Sequence, residues 1–373
     1  VAQISGNMKT YRIALRMPLW MEYTNLLTEG AVSYARDHPE LRLMEFPMQE
    51  GSPDWAGRRP FPFDGALTFA NVHTDRWVLD LHREGIPIVN CSADFMDHQI
   101  PCVLGSGCAA AATEFLVGLG REHVAFVHGD KAADVFVQDH YQVLQEAAET
   151  HPLKVHRFAH EPSQPDLPFE YLAEPADEEA LAEFLVSLPK PASVWCLSDY
   201  LGVLAIRVAR HVGLDVPGEL AVLGVGDYRI GRVAEPPLST VPVPGEQIGA
   251  KAVSLLHSMI LGKASKKSGK VVIPCPAVLE RGSTRRVPTD GNLALRADAI
   301  MREQAPYGMT VNELAALLDV SRVTLTKHCR AAFGEAPSER LRRYRLERAK
   351  QWLSVDGLAI ARVASMCGFD EPV

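Results

Sequence analysis

Four side chains on one face of a short helix, Val323, Thr326, Lys327 and Arg330, with Arg322 at its start, form the set in this sequence whose types and spacing best suit contact with nucleic acid. The set lies in Thr310 to Gly334, TVNELAALLDVSRVTLTKHCRAAFG. Leu314, Ala315, Leu317 and Leu318 give a first helix an apolar stripe, Asp319-Val320-Ser321 interrupts it, and Ser321 is placed to accept from the freed amides of a second helix. With Leu325, Cys329 and Phe333 inward at about 100° per residue, the opposite face carries the four named side chains. An apolar back and a small, basic front are what a helix needs to enter a major groove roughly 12 Å wide and reach base edges. Two amphipathic helices around a tight turn also occur in helical proteins with no such role, so the surroundings of this pair decide its meaning.

The surroundings extend the pattern. Pro337 to Leu353 predicts a long helix with Pro near its start, many arginines and an apolar stripe of Leu341, Tyr344, Leu346, Ala349 and Leu353. Leu358 to Phe369 then repeats the first-helix pattern through Ile360, Val363, Ala364 and Met366, with Gly368 at the turn. Two such half-motifs joined by a basic helix resemble the DNA-binding domain of the AraC family of transcription regulators over residues 293–373, and the resemblance implies double-stranded DNA as a partner. Asp319 stands where the first turn often has Gly, and Asp tolerates turn conformations. Asp370 and Pro372 stand where a second reading helix would be capped and opened. That cut, and Val1 in place of an initiator Met, lead to the expectation that the 373 residues belong to a longer protein.

Charge is segregated. From Ser321 to Lys350 there are 9 basic and 3 acidic residues, although the whole chain has 38 Lys+Arg against 46 Asp+Glu. A local basic footprint of this kind suits phosphate contact. The 7 cysteines are scattered, form no C-x-x-C or Cys/His ligand cluster, and read as reduced core residues. No metal or cofactor is expected. The sequence has neither an apolar run of about 18 residues nor the charged and apolar regions of an export signal, which predicts a cytoplasmic protein without membrane contact.

The preceding residues alternate strand and helix. Strands are expected at Tyr11 to Arg16, Leu41 to Phe46, Gly65 to Phe69, Pro87 to Asn90, Val124 to Val127, Lys154 to Phe158, Ser193 to Leu197 and Ala221 to Val225. Helices are expected at Tyr23 to Asp37, Asp75 to Glu84, Cys108 to Leu119, Gln138 to Thr150, Asp177 (as cap) to Leu188, Leu201 to Val212 and Glu246 to Leu261. Pro-rich Glu161 to Pro175 is the least regular part. Short apolar strands between helices imply parallel sheets covered on both faces, and this many βαβ units divide into two doubly wound lobes. The fold class is therefore an α/β bilobal core followed by an all-α helix-turn-helix domain.

Several stretches of the core are similar to LacI/GalR-type effector domains, themselves similar to periplasmic sugar-binding proteins. They are FDGAL from Phe63, GIPIV from Gly85, GREHVAF from Gly120, VPGELAVLG from Val216, PLSTV from Pro237 and LERGST from Leu279. The resemblance covers residues 9–284, leaving 285–292 as linker and 293–373 as the DNA-binding domain. A core of this type fused to an AraC-type domain is the arrangement of xylose-operon activators, which implies a homodimer and a small-molecule effector of the sugar class.

In open α/β lobes ligands bind at the carboxyl ends of strands, so the cleft between lobes is the expected site. The turns there offer Trp20, Glu22, Asn71, His73, Ser92, Asp94, Asp130, Asp199 and Asp227. Asn71, Asp130, Asp199 and Asp227 are taken as effector-binding, although a loop polar residue facing water is the commoner situation. Sugar-responsive relatives usually carry Asp where this chain has Gly226, and often an Arg where none occurs between Lys131 and Tyr141. The alternatives are a core that has lost sugar sensing and serves for dimerisation or partner docking, and a solute-binding transport protein. Catalysis is not expected: Gly224-x-Gly226 lacks a third glycine and does not open the first βα turn, Gly105-Ser106-Gly107 lacks the spacing of a nucleophile elbow, and there is no P-loop.

Overall fold

A computed structural model describes residues 9–18, 21–45, 62–70, 77–92, 99–129, 135–160, 175–265, 269–285, 293–353 and 360–369. Eleven strands among them form two parallel sheets. The first contains β1 (Tyr11–Arg16), β2 (Leu41–Glu45), β3 (Gly65–Thr68), β4 (Ile88–Asn90), β5 (Cys102–Ser106) and β11 (Lys270–Pro274), in the order β2-β1-β3-β4-β5-β11. The second contains β6 (His123–Gly129), β7 (Lys154–His160), β8 (Ala192–Cys196), β9 (Leu220–Gly226) and β10 (Ser239–Pro242), in the order β7-β6-β8-β9-β10. In both, the order reverses beside the lobe's first strand, which opens a crevice at the carboxyl ends of β1 and β3 and of β6 and β8.

Helices α1 (Glu22–Arg36), α2 (Trp77–Arg83) and α8 (Gly245–Ile260) cover the first sheet; α3 (Cys108–Gly118), α4 (Val135–Thr150), α5 (Pro175–Ser187) and α6 (Asp199–His211) cover the second, and α7 (Arg229–Arg232) is a single turn. Coverage on both faces explains why every residue of β8 and β9 is buried, and why these strands read as unbroken apolar runs. Helices α1 and α8 approach closely because Gly30 and Gly249 lack side chains. A Cβ at Gly30 would lie 1.8 Å from the Glu246 carbonyl oxygen, and one at Gly249 1.9 Å from that of Leu27.

Strands β5, β10 and β11 were not evident from the sequence. All three lie beside crossovers between the lobes: β5 leads to α3, β10 leads to α8, and the chain after β11 returns to bridge Leu279 to Thr240. The cysteine expectation is corrected at one pair. Cys108 and Cys275, 167 residues apart, are disulfide-bonded across two crossovers, because the pairing of β5 with β11 brings the next residues of each chain together. Cys91, Cys102, Cys196, Cys329 and Cys367 are buried free thiols. Helix α5 begins at Pro175, so Asp177 falls within its first turn instead of capping it.

The carboxyl-terminal unit is helical: α9 (Leu293–Gln304), a 3-10 turn Ala305–Tyr307, α10 (Val311–Leu317), α11 (Arg322–Phe333), α12 (Pro337–Leu353) and α13 (Ile360–Met366). Met301, Leu314, Leu318, Leu325, Cys329, Leu341 and Tyr344 form its core. The Asp298 carboxylate accepts from Arg340 and the Tyr344 hydroxyl, tying α9 to α12.

Candidate nucleic-acid interface and effector cleft

Local signals fix the helix pair around α11. Thr310 accepts from the Glu313 amide at 3.2 Å while Glu313 accepts from the Thr310 amide at 2.8 Å, a reciprocal cap that starts α10. Asp319 turns the chain with φ +52°, and the Ser321 hydroxyl accepts from the Thr324 amide at 3.0 Å to start α11. Gly334, at φ +75°, ends it in the left-handed conformation a side chain disfavours. Leu325 and Cys329 are fully buried, and Phe333 is half-buried. Arg322, Lys327 and Arg330 are exposed, Val323 is 79% exposed, and Thr326 is half-buried with its hydroxyl donating to the Arg322 carbonyl. This exposed basic face stands on a helix locked from behind by packing.

Two apolar residues depart from the expected stripes. Leu317 is 63% exposed because Leu314, Ala315 and Leu318 already define the buried side of α10. On α12 the inward face runs through Leu341, Tyr344, Arg345 and Arg348, turning Leu346 and Leu353 outward. Ile360 is exposed as well.

Of the expected effector residues, Asn71 and Asp130 lie outside the described residues, as do Trp20, His73 and Asp94. Asp199 is fully buried at the start of α6. One oxygen accepts from the Thr240 hydroxyl at 2.6 Å and the other from the Tyr228 amide at 2.6 Å. Burial raises its pKa to about 7 against the lowering effect of those two hydrogen bonds. Gly226 has a structural reason: the Tyr228 ring lies over it, and a Cβ there would fall 2.5 Å from a ring carbon. Tyr228 thus occupies the space into which a side chain at position 226 would project, and its ring centre lies 5.8 Å from that of Tyr200.

The acid one residue later turns away from that space. Asp227 has φ +62°, and its carboxylate accepts from Arg281 at 2.5 Å and from Arg232 at 3.1 Å, with Arg348 at 3.7 Å. Burial pushes its pKa up, but Arg281, Arg232 and Arg348 together overcome this and hold the carboxyl below its usual range. Arg281 also donates to the Tyr307 hydroxyl at 2.7 Å, and Arg232 stacks 4.7 Å from the centre of that ring. Tyr307 and Arg348 belong to the helical unit, so the turn after β9 is one place where core and helical unit meet. Asp199 and Asp227 are therefore neighbours in one network, whereas sequence reasoning treated them as separate ligand groups. It missed Arg281, Arg232, Tyr307 and Arg348. The available signals were a charged residue in LERGST and an arginine seven positions beyond Leu341 on the apolar side of α12. On the other wall, Thr68 donates to Asn90, whose side chain ties Ala70 to Ser92, and Glu22 accepts from the Arg229 amide at 3.1 Å across the lobes.

A periplasmic binding protein-like domain matches residues 113–284 and a helix-turn-helix domain matches residues 314–373. The chain joins these two families. It has the domain pair of xylose-operon-type regulators, an effector-type core followed by an AraC-type helix-turn-helix. It is 26% identical over 193 residues to the xylose operon regulatory protein of Escherichia coli K12, covering 52% of this chain and 49% of that one. It is 34% identical over 105 residues to the repressor CytR of the same strain, covering 28% and 30%. The chain thus spans about half the length, or less, of these curated relatives. Among solved structures, the xylose-binding transcription activator xylR superposes with a TM-score of 0.60 at 20% identity, covering 97% of this chain and 93% of that one. The regulator CelR with cellobiose gives 0.61 at 22% identity, covering 74% and 85%. Among the described residues no helix is long and apolar enough to cross a membrane, and no three His, Cys, Asp or Glu side chains gather as metal ligands.

Proposed function

We propose that this chain is a sequence-specific transcription regulator: α11 reads double-stranded DNA, and a small polar effector of the sugar class binds between the lobes of a homodimeric core. The observation that carries the first half is the face of Val323, Thr326, Lys327 and Arg330, with Arg322 beside it, on a helix whose opposite side is fixed by Leu325 and Cys329. The xylose and cellobiose in the names of similar proteins support the effector class. In this reading Lys327 reaches a purine edge and Arg330 a phosphate. Lys327→Ala then costs about 1–3 kcal/mol on the cognate site and relaxes specificity at one base pair, whereas Arg330→Ala weakens all sequences alike and flattens the salt dependence. Titrations of cognate and random duplexes at several salt concentrations check this. Equal losses on both duplexes for both variants would refute the base-reading role.

Asn71 and Asp130 are the proposed direct contacts in the cleft. Asp199 and Asp227, whose carboxylates already serve Thr240, Tyr228 and three arginines, set the shape of the second lobe's wall. That internal use of both acids also favours a second reading, a core kept for dimerisation or partner docking. Thermal shifts with pentoses, hexoses, uronic acids and their phosphates separate the two. A ligand at 100 times its Kd stabilises by about 2.7 kcal/mol, so silence across the panel leaves the docking reading standing.

A further inference from the structure

The helical unit touches both lobes through ion pairs of unequal character. On the second lobe, Arg281 and Asp227 are 3% and 9% exposed, Arg348 of α12 is 8% exposed, and Tyr307 accepts from Arg281. The same lobe carries the chain toward this unit: Ser283 donates to the Val222 carbonyl and accepts from the Ser239 amide, stitching residues 279–284 beside β9 and β10. On the first lobe the contact is Arg362 of α13 with Glu246 at the start of α8, at 3.1 Å, their side chains 43% and 15% exposed.

We propose that the helix-turn-helix unit rides on the second lobe through Asp227, Arg281, Tyr307 and Arg348, and that the Arg362–Glu246 pair is a breakable catch to the first lobe. The inference rests on the proposed function, with the core as sensor and the helical unit as DNA reader, and assigns how one reaches the other. Removing a partner from the buried cluster strands charge away from water, whereas the Arg362–Glu246 pair, exposed at its arginine end, exchanges more easily for hydration. A domain fixed at two points to bodies that move relative to each other must release one of them, and the weaker contact yields. An effector that changes the lobe angle thus opens the catch while the cluster holds, and α11 moves with the second lobe. Tyr228, beside Asp227, hydrogen-bonds through its amide to Asp199, so the cleft wall and the cluster share one turn.

The test needs neither effector nor DNA, so its outcome is independent of whether the DNA and sugar assignments hold. In the intact chain, nitroxides at Ala332→Cys on α11 and Arg36→Cys on α1 report the distance to the first lobe; Ala332→Cys with Glu149→Cys on α4 reports the distance to the second. All three positions are exposed. Arg362→Gln is expected to abolish the narrow distribution to the first lobe and leave that to the second intact, and Arg362→Glu with Glu246→Arg restores it. Tyr307→Phe combined with Arg348→Gln is expected to broaden both. A first-lobe distribution that stays narrow in Arg362→Gln, or a second-lobe distribution that stays narrow in the Tyr307/Arg348 variant, overturns the proposal.

Discussion

Asp199→Asn is expected to become progressively more favourable, relative to the parent chain, as pH rises from 5 to 8. Burial raises the Asp199 carboxyl from its ordinary 3.8 to about 7, so the folded state holds this proton more tightly than the unfolded chain does. The resulting stability is fully present below the unfolded value and is lost as pH rises to the folded one. Asn reproduces the neutral pattern: its Oδ1 accepts from the Tyr228 amide and its amide donates to Thr240, whose hydroxyl turns to accept. Asp227, held low, changes stability in the opposite sense, losing its contribution as pH falls, and this largely cancels when the two proteins are compared. The difference attributable to Asp199 amounts to about 4 kcal/mol over the whole range and about 2.5 kcal/mol between pH 5 and pH 8. Urea unfolding of both proteins at pH 5, 6, 7 and 8 measures it. A difference in unfolding free energy that does not change with pH would refute the assignment of a buried, proton-holding carboxyl at this position.

Gly30→Ala pushes a methyl group to within 1.8 Å of the Glu246 carbonyl and forces α1 from α8. It is expected to destabilise by about 3 kcal/mol, read as a lowered urea midpoint with an unchanged slope. Ser321→Ala removes the hydroxyl that accepts from the Thr324 amide and costs about 1 kcal/mol, visible as faster hydrogen exchange in the first turn of α11 while α9 is unaffected. Arg281→Met leaves the Asp227 carboxylate buried with weaker compensation, and a loss of about 3–5 kcal/mol is expected in the same urea experiment. If that loss persists when Asp227→Asn is added, the ion pair is not its source.

The sequence by itself determined the elements whose signals are local. The Ser321 cap, the turn at Asp319 and the 3.6-residue spacing of Leu325 and Cys329 are interactions within a few residues, so the helix pair and the outward basic face of α11 could be read directly. The apolar runs of β8 and β9 likewise announced a sheet covered on both faces. Tertiary structure alone decided whatever depends on partners distant in the chain. Strands β5 and β11 pair across more than 160 residues, and the Cys108–Cys275 bond follows from that pairing. Leu317, Leu346 and Leu353 face solvent because neighbouring helices, not apolarity, choose the buried side. Two acids show this most clearly. Asp199 and Asp227 were singled out by motif position as effector-binding, whereas folding engages their carboxylates with Thr240, Tyr228, Arg232, Arg281 and Arg348, and the last of these comes from the helical unit. A carboxylate's role depends on the charges and donors that surround it after folding, and sequence spacing does not carry that information.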